Sequence, residues 1–329
     1  MEDSKVKILI IRFSSIGDIV LTSPVVRGLK TQMAGDVELH FLTKIQYRGI
    51  LKHNPYISKV HAIEKSTNEV IQDLLTENFD YIVDLHKNLR SKRVIKKLKR
   101  IAFTFDKLNV KKWMLTRFKI NRLPDVHIVD RYFEAVRVLD VKNDKKGLQF
   151  FIPESDRVPL SQLPESHRSG YVGFAIGAQH ATKRLPVHKI IEICKKIDRP
   201  VVLLGGKEDR ETAESIVHGS GAHVFNACGQ FNLNQSASLV QQSQFLITHD
   251  TGLMHIGVAL GVKIVSIWGS TVPAFGMYPY YPNNPEKYKI IENNALSCRP
   301  CSKLGYGQCP RKHFQCMESV DVDSVIDAY

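Results

Sequence analysis

Val6-Lys7-Ile8-Leu9-Ile10-Ile11-Arg12-Phe13-Ser14-Ser15-Ile16-Gly17-Asp18 is the stretch whose reading decides the fold. From Val6 to Phe13 the residues are mainly apolar and β-branched, with no regular polar alternation. That is the pattern of a central parallel strand covered on both faces. Ser14 to Asp18 breaks the run with small and polar residues, and helical spacing resumes from Ile19 to Met33 with Pro24 near its start. The unit therefore reads strand, tight loop, helix. Short apolar runs recur at Val37 to Thr43, Tyr81 to Leu85 and Ile101 to Phe105, separated by polar or helical stretches. This is the β/α alternation of an open sheet.

Between Leu148 and Gly170 the composition shifts, with Pro153, Pro159 and Pro164 among Ser and Glu, and the segment reads as an interdomain linker. A second alternating unit follows. Its candidate strands are Tyr171 to Ile176, Pro200 to Leu204, His223 to Phe225, Phe245 to Thr248 and Lys263 to Trp268, and Leu253 to Leu260 is a candidate helix. A chain of 329 residues fits two α/β domains, expected at 1–155 and 156–329. Hydrophobic residues at 43% and charged residues at 24% exclude a disordered chain and a membrane-spanning one. Ile8 to Ile11 is too short for a signal sequence and follows the acidic Glu2-Asp3, so a cytoplasmic protein is expected.

In an open parallel sheet, ligands gather outside the carboxyl ends of the strands, which puts residues 14 to 18 at a functional edge. The loop has no G-x-G-x-x-G, and no P-loop motif occurs in the chain. What it offers is Asp18 near the start of a helix. Asp18 or Ser15 can cap that helix. A carboxylate there can also take a proton from an acceptor hydroxyl, and Gly17 leaves room for the substrate to approach. The two roles are compatible.

Thr248-His249-Asp250-Thr251-Gly252-Leu253-Met254-His255 leads from a strand into a helix. Gly252 permits close backbone approach, and the free N–H groups of a first helical turn can bind a diphosphate. Asp250 can orient a sugar or ribose through its hydroxyls, with His255 in the first turn. The bland alternative makes Asp250 or Thr251 a cap and His255 a packed side chain. A third block, Gly177 to Pro186, again follows a strand. In it Lys183 or Arg184 can neutralise a departing diphosphate, or can be an ordinary solvated cation.

Lys plus Arg number 46 against 33 Asp plus Glu, a formal +13. Fourteen of these cations lie between Lys87 and Arg122, with Asp106 the single acid. Trp113, Met114, Leu115 and Phe118 are interleaved among them. The mixture suits a membrane surface holding an anionic glycolipid, and equally a solvated basic helix followed by core aromatics. No nucleic-acid motif accompanies the charge, so nucleic acid is not an expected partner. Cys298, Cys301, Cys309 and Cys316 crowd the tail, where they can assemble a zinc site or remain packed thiols.

Taken together and in order, three blocks resemble the lipopolysaccharide heptosyltransferase family, glycosyltransferase family nine. Ile11 to Pro24 is similar to that family's N-terminal signature. Asp250 to His255 with Gly261 and Trp268-Gly269-Ser270-Thr271 is similar to its donor-site signature, and Lys183-Arg184-Leu185-Pro186 to its lysine loop. The cysteine tail looks like that of some members. The resemblance implies α/β architecture with two Rossmann-like domains facing across a cleft, the glycosyltransferase B fold. It implies an N-terminal acceptor domain, a C-terminal nucleotide-sugar domain, and inversion at the anomeric carbon.

By position the resemblance puts the family's base on Asp18 and its phosphate lysine on Lys183. The family's donor contacts fall on Asp250, Thr251, Gly252, Leu253 and His255, beside Lys183; Gly177 and Thr182 of the lysine block are further expected donor contacts, without a match to the family's hydroxyl contacts around Gln179 to Thr182, and acceptor contacts are expected at Ser15, Gly17, Arg90 and Arg93. The implied partners are ADP-heptose or a related sugar nucleotide, and an anionic inner-core glycolipid at the inner face of the cytoplasmic membrane. No cofactor is required. No Asp-x-Asp pair of the metal-chelating kind accompanies the donor blocks, although Mg²⁺ remains compatible. The rival readings are a transferase for another sugar nucleotide, a sugar-nucleotide epimerase of the same architecture, and a non-enzymatic nucleotide-binding module.

Overall fold

Eleven strands form two all-parallel sheets in the computed structural model, which describes residues 5–328. Glu2 and Asp3 lie outside the described residues. One compact unit takes the chain up to Lys107 and again from Val126 to Phe151; the other takes Leu108–Asp125 and everything from Ile152. Residues 108–125 thus pack with the second unit, whereas the sequence places them inside the first.

The first unit holds β1 (Val6–Ile11), β2 (Val37–Lys44), β3 (Lys59–Ile63), β4 (Tyr81–Asp84) and β5 (Ile101–Thr104), in the order β3-β2-β1-β4-β5. Ile8 to Ile11 are each 0% exposed, as a strand sandwiched between helical layers must be. Leu9, Ile11, Phe13, Leu42, Phe79, Ile82 and Val94 pack into one core cluster. The expected Ile19–Met33 helix is two helices, Ile16–Val20 and Ser23–Gln32. The second begins at Ser23 because Pro24, lacking an N–H, is tolerated only in a first turn.

The second unit holds β6 (Val172–Ala175), β7 (Val201–Leu204), β8 (Val224–Asn226), β9 (Phe245–His249), β10 (Lys263–Trp268) and β11 (Tyr288–Glu292), in the order β11-β10-β9-β6-β7-β8. Its core gathers Phe174, Ile193, Leu203, Ile247 and Val265, and the tail adds Met317, Val322 and Val325. The proline-bearing segment before β6 is packed structure. Pro153, Pro159 and Pro164 each open a single 3₁₀ turn. Val158, Leu163 and His167 are buried, and the Val158 N–H donates to Ser238 Oγ at 3.0 Å.

Both sheets step outward in one direction from their first strand and then reverse. The reversal lies between β1 and β4 in the first unit and between β6 and β9 in the second. Loops leaving two such neighbouring strands diverge and leave an opening, so these carboxyl ends are where a ligand fits.

Candidate functional site

At the β1/β4 reversal, Asp18 sits one turn into the Ile16–Val20 helix. Its Oδ2 accepts from the Ser15 N–H at 3.0 Å and from Ser15 Oγ at 2.8 Å. Its Oδ1 pairs with the guanidinium of Arg12, which also donates to the carbonyls of Ser14 and Leu85. One arginine therefore clamps the loop after β1 to the loop after β4. Asp84 at the end of β4 accepts from the His86 and Lys87 N–H groups and from Ser91 Oγ, fixing the second loop. Burial, then the positive charges of Arg12 and Lys107, pushes the His86 imidazole down to about 3, leaving it neutral. The capping role read for Asp18 is present in this geometry. The carboxylate completes a capping box, yet its side chain keeps 20% exposure. Gly17 is buried beside it, and Arg90 lies over the Phe13 ring at 5.5 Å, whereas Arg93 points to solvent on the Leu89–Leu98 helix.

At the β6/β9 reversal, Lys183 and Asp250 come from loops 67 residues apart in sequence and meet at 2.6 Å. Thr271 Oγ1 donates to the same Asp250 oxygen at 2.9 Å. The ion pair is mostly enclosed, with side-chain exposures of 16% and 13%. Beside it begins the Gly252–Ala259 helix, with Thr251 at its N-cap, so the orphan N–H groups of its first turn face outward from the same strand end. A cation, a carboxylate and unpaired amide donors converge there, a set suited to a diphosphate bearing sugar hydroxyls.

Other expected donor residues serve this loop from inside. Thr182 is 2% exposed, and its hydroxyl accepts from the Tyr306 N–H at 2.8 Å and lies 2.9 Å from Ser270 Oγ. His255 is 2% exposed within the helix. Gly177 is required by close packing, because a Cβ there would meet Asp209 Oδ2 at 2.2 Å.

Three supporting elements were missed by sequence reasoning. His249, fully buried, accepts the Leu185 N–H at 3.0 Å through Nε2, tying the lysine loop to the strand that carries Asp250. Asp209 pairs with Arg184 at 2.8 Å and accepts the Gly206 N–H, joining the loops after β6 and β7. Arg299 donates to the carbonyls of Trp268, Gly269 and Thr271 and to Glu292, locking the tail onto the Trp268–Thr271 loop. An Asp-x-Asp does occur in the tail. Asp321 there caps the Val322–Ile326 helix and Asp323 pairs with Lys196. All four tail cysteines are free thiols, and among the described residues no three of their ligand atoms belong to a group within 4.8 Å.

The buried His249 makes a pH prediction. Burial, then the charge of Arg184, pushes its imidazole down to about 3. An unfolded histidine titrates near 6.5, so below that pH the unfolded chain takes the proton first. Stability is intact above about pH 6.5 and falls by about 1.4 kcal/mol per pH unit for this group as pH drops toward 3. His249→Gln, which keeps an acceptor but does not titrate, should flatten the fall in urea-unfolding free energy between pH 6.5 and pH 4.5 by about that slope. An unchanged slope would show that His249 is not the titrating group.

Residues 67–306 match the family model of glycosyltransferase family 9 (heptosyltransferase). Lipopolysaccharide heptosyltransferase 1 of Campylobacter coli is 26% identical over 291 residues, covering 80% of this chain and 84% of that protein. The structure of a family 9 glycosyl transferase from Veillonella parvula superposes with a TM-score of 0.79 at 22% identity, over 98% of this chain and 96% of that one. The E. coli ADP-heptose lps heptosyltransferase II superposes with a TM-score of 0.73 at 19% identity, over 98% and 97%. The two superpositions speak for the fold, two parallel-sheet α/β units of the glycosyltransferase B type. The family match covers most of the chain, includes the Lys183 and Asp250 loops, and sets the epimerase reading aside. The chain belongs to glycosyltransferase family 9, the heptosyltransferases, enzymes of lipopolysaccharide heptose transfer.

Proposed function

We propose that the chain transfers a heptose from ADP-heptose to a hydroxyl of an inner-core lipopolysaccharide acceptor, with inversion at the anomeric carbon. The observation that carries this reading is the Lys183–Asp250 pair at 2.6 Å beside the first turn of the Gly252–Ala259 helix. A diphosphate entering there exchanges the Asp250 carboxylate for its own oxygens on Lys183 and takes the N–H groups of Gly252 and Leu253. Asp250 and Thr251 are then available to sugar hydroxyls. Asp18 removes the acceptor proton as the acceptor oxygen bonds to the anomeric carbon. The bond from that carbon to the diphosphate breaks, and ADP departs carrying the electron pair. Lys183 and the amides hold the charge that grows on ADP, which is where rate is gained. Ser15 and Gly17 flank the acceptor hydroxyl, and Arg90 and Arg93 meet acceptor phosphate. The scheme calls for no cofactor, and Mg²⁺ on the diphosphate would be compatible with it.

A lipid-anchored acceptor puts the reaction in the cytoplasm, against the inner face of the cytoplasmic membrane. No helix among the described residues is long and apolar enough to cross that membrane. The test offers ADP-heptose and, separately, UDP-sugars to purified protein, with and without deep-rough lipopolysaccharide. ADP release from ADP-heptose that depends on acceptor is the expected result. Release from UDP-sugars alone would replace the donor, and release that ignores the acceptor would remove the acceptor assignment.

A further inference from the structure

The helix Asn109–Phe118 and the residues after it carry the most unusual surface in the second unit. The sequence left two readings for Trp113 and Phe118, core aromatics or interfacial ones, and their exposures of 52% and 55% place them outside the core. Val110 at 71% and Ile120 at 46% are the other exposed large apolar residues of the segment. Trp113 and Phe118 touch each other edge to face, with ring centroids 5.1 Å apart, so they form one continuous patch. Lys111, Arg117 and Arg122 are exposed around it, and residues 109 to 124 contain no Asp or Glu.

The exposure does not come from a loose segment. Leu115 is buried on the inward side, and the Lys112 ammonium lies 5.8 Å from the centre of the Phe275 ring. Lys119 Nζ donates to the carbonyls of Thr116, Cys298 and Pro300 at 2.9, 3.0 and 2.7 Å. The helix is therefore held by its inner face while it presents rings and cations outward. Scattered apolar residues are ordinary on a protein surface, but an exposed pair of touching rings on a segment whose charges are of one sign marks an interaction site.

We infer that the Asn109–Phe118 helix and residues 119–122 dock the protein on an anionic lipid bilayer. The rings and aliphatic side chains enter the headgroup boundary, where tryptophan partitions favourably, and the cations meet lipid phosphates. The basic Leu89–Leu98 helix lacks this combination, since its cations accompany Leu89 as its single exposed large apolar residue. The inference deepens the proposed function and rests on it in one respect, that the acceptor is presented in a membrane.

The chain has two tryptophans, and the other, Trp268, is 1% exposed, so a change of indole emission on lipid binding reports Trp113. Full-length protein is titrated with phosphatidylglycerol/phosphatidylethanolamine vesicles and with phosphatidylcholine vesicles. A blue shift with the anionic vesicles alone, weakened by added salt, is expected. Trp113→Ala/Phe118→Ala should lower co-flotation with anionic vesicles about tenfold or more, with an unchanged melting temperature. The same variant should keep full turnover on a water-soluble core acceptor.

Unshifted emission, or equal flotation of the double variant, overturns the inference. So does an association of wild-type protein with itself that the double variant abolishes, because the patch would then be a contact between copies. Vesicle binding is read without turnover, so a protein that floats but transfers no heptose refutes the proposed reaction and leaves the docking surface standing.

Discussion

Asp18→Asn should lower turnover by about 100-fold or more while leaving ADP affinity near its wild-type value, the usual size of a lost general base. Asparagine is the informative replacement because of what the carboxylate does structurally. Its Oδ2 receives the Ser15 N–H and hydroxyl, and its Oδ1 lies against Arg12. An amide oxygen can still accept from Ser15, but an amide cannot take a proton at neutral pH. Asp18→Ala would also remove the capping contact, costing about 1 kcal/mol, and would take the paired carboxylate from the buried Arg12. A fall in turnover for alanine would therefore mix folding with chemistry. Melting temperatures of the two variants separate the contributions. Near-normal turnover in Asp18→Asn would reduce Asp18 to a cap and a clamp for Arg12, and the base would have to be sought elsewhere.

The parts of this fold that are legible in sequence are those where burial is complete. Ile8 to Ile11 and Val201 to Leu204 are fully covered, so nothing but apolar side chains is tolerated and the strands show as uninterrupted runs. The missed strands, Lys59–Ile63 and Tyr288–Glu292, each form one edge of their sheet. Each is partly solvated and keeps polar residues such as Lys59 and Lys289, which dilute the pattern. The same logic divides the site. Asp18 and Asp250 are visible because each lies in a strand-to-helix turn within two residues of a glycine. His249, Asp209 and Arg299 are not, since their roles consist of contacts to distant parts of the chain, such as those of Arg299 with Gly269, 30 residues away, and of His249 with Leu185, 64 residues away. The basic stretch was legible as charge but not as surface. Sequence cannot tell that it divides between two units after Lys107, nor that Leu115 faces in while Trp113 faces out.

Lys183→Ala should weaken both donor binding and catalysis, with kcat/KM for the donor falling by about 10²–10³, the loss typical of one enclosed transition-state partner. The enclosure matters, because at 16% exposure the ammonium acts through a medium far less polarisable than water. Two functions are entangled in that ammonium, since it binds the proposed diphosphate and also neutralises Asp250 at 2.6 Å. Removing it leaves a carboxylate held by Thr271 and facing the incoming phosphates, which repels them. The double variant Lys183→Ala/Asp250→Asn separates the two effects. If Lys183 only masks Asp250, the double variant should regain wild-type ADP affinity. If it holds the diphosphate itself, the double variant should stay impaired for ADP while binding adenosine as the wild type does. Adenosine lacks the phosphates, so equal losses for adenosine and ADP would refute a phosphate role and point instead to collapse of the loop that His249 and Thr182 brace.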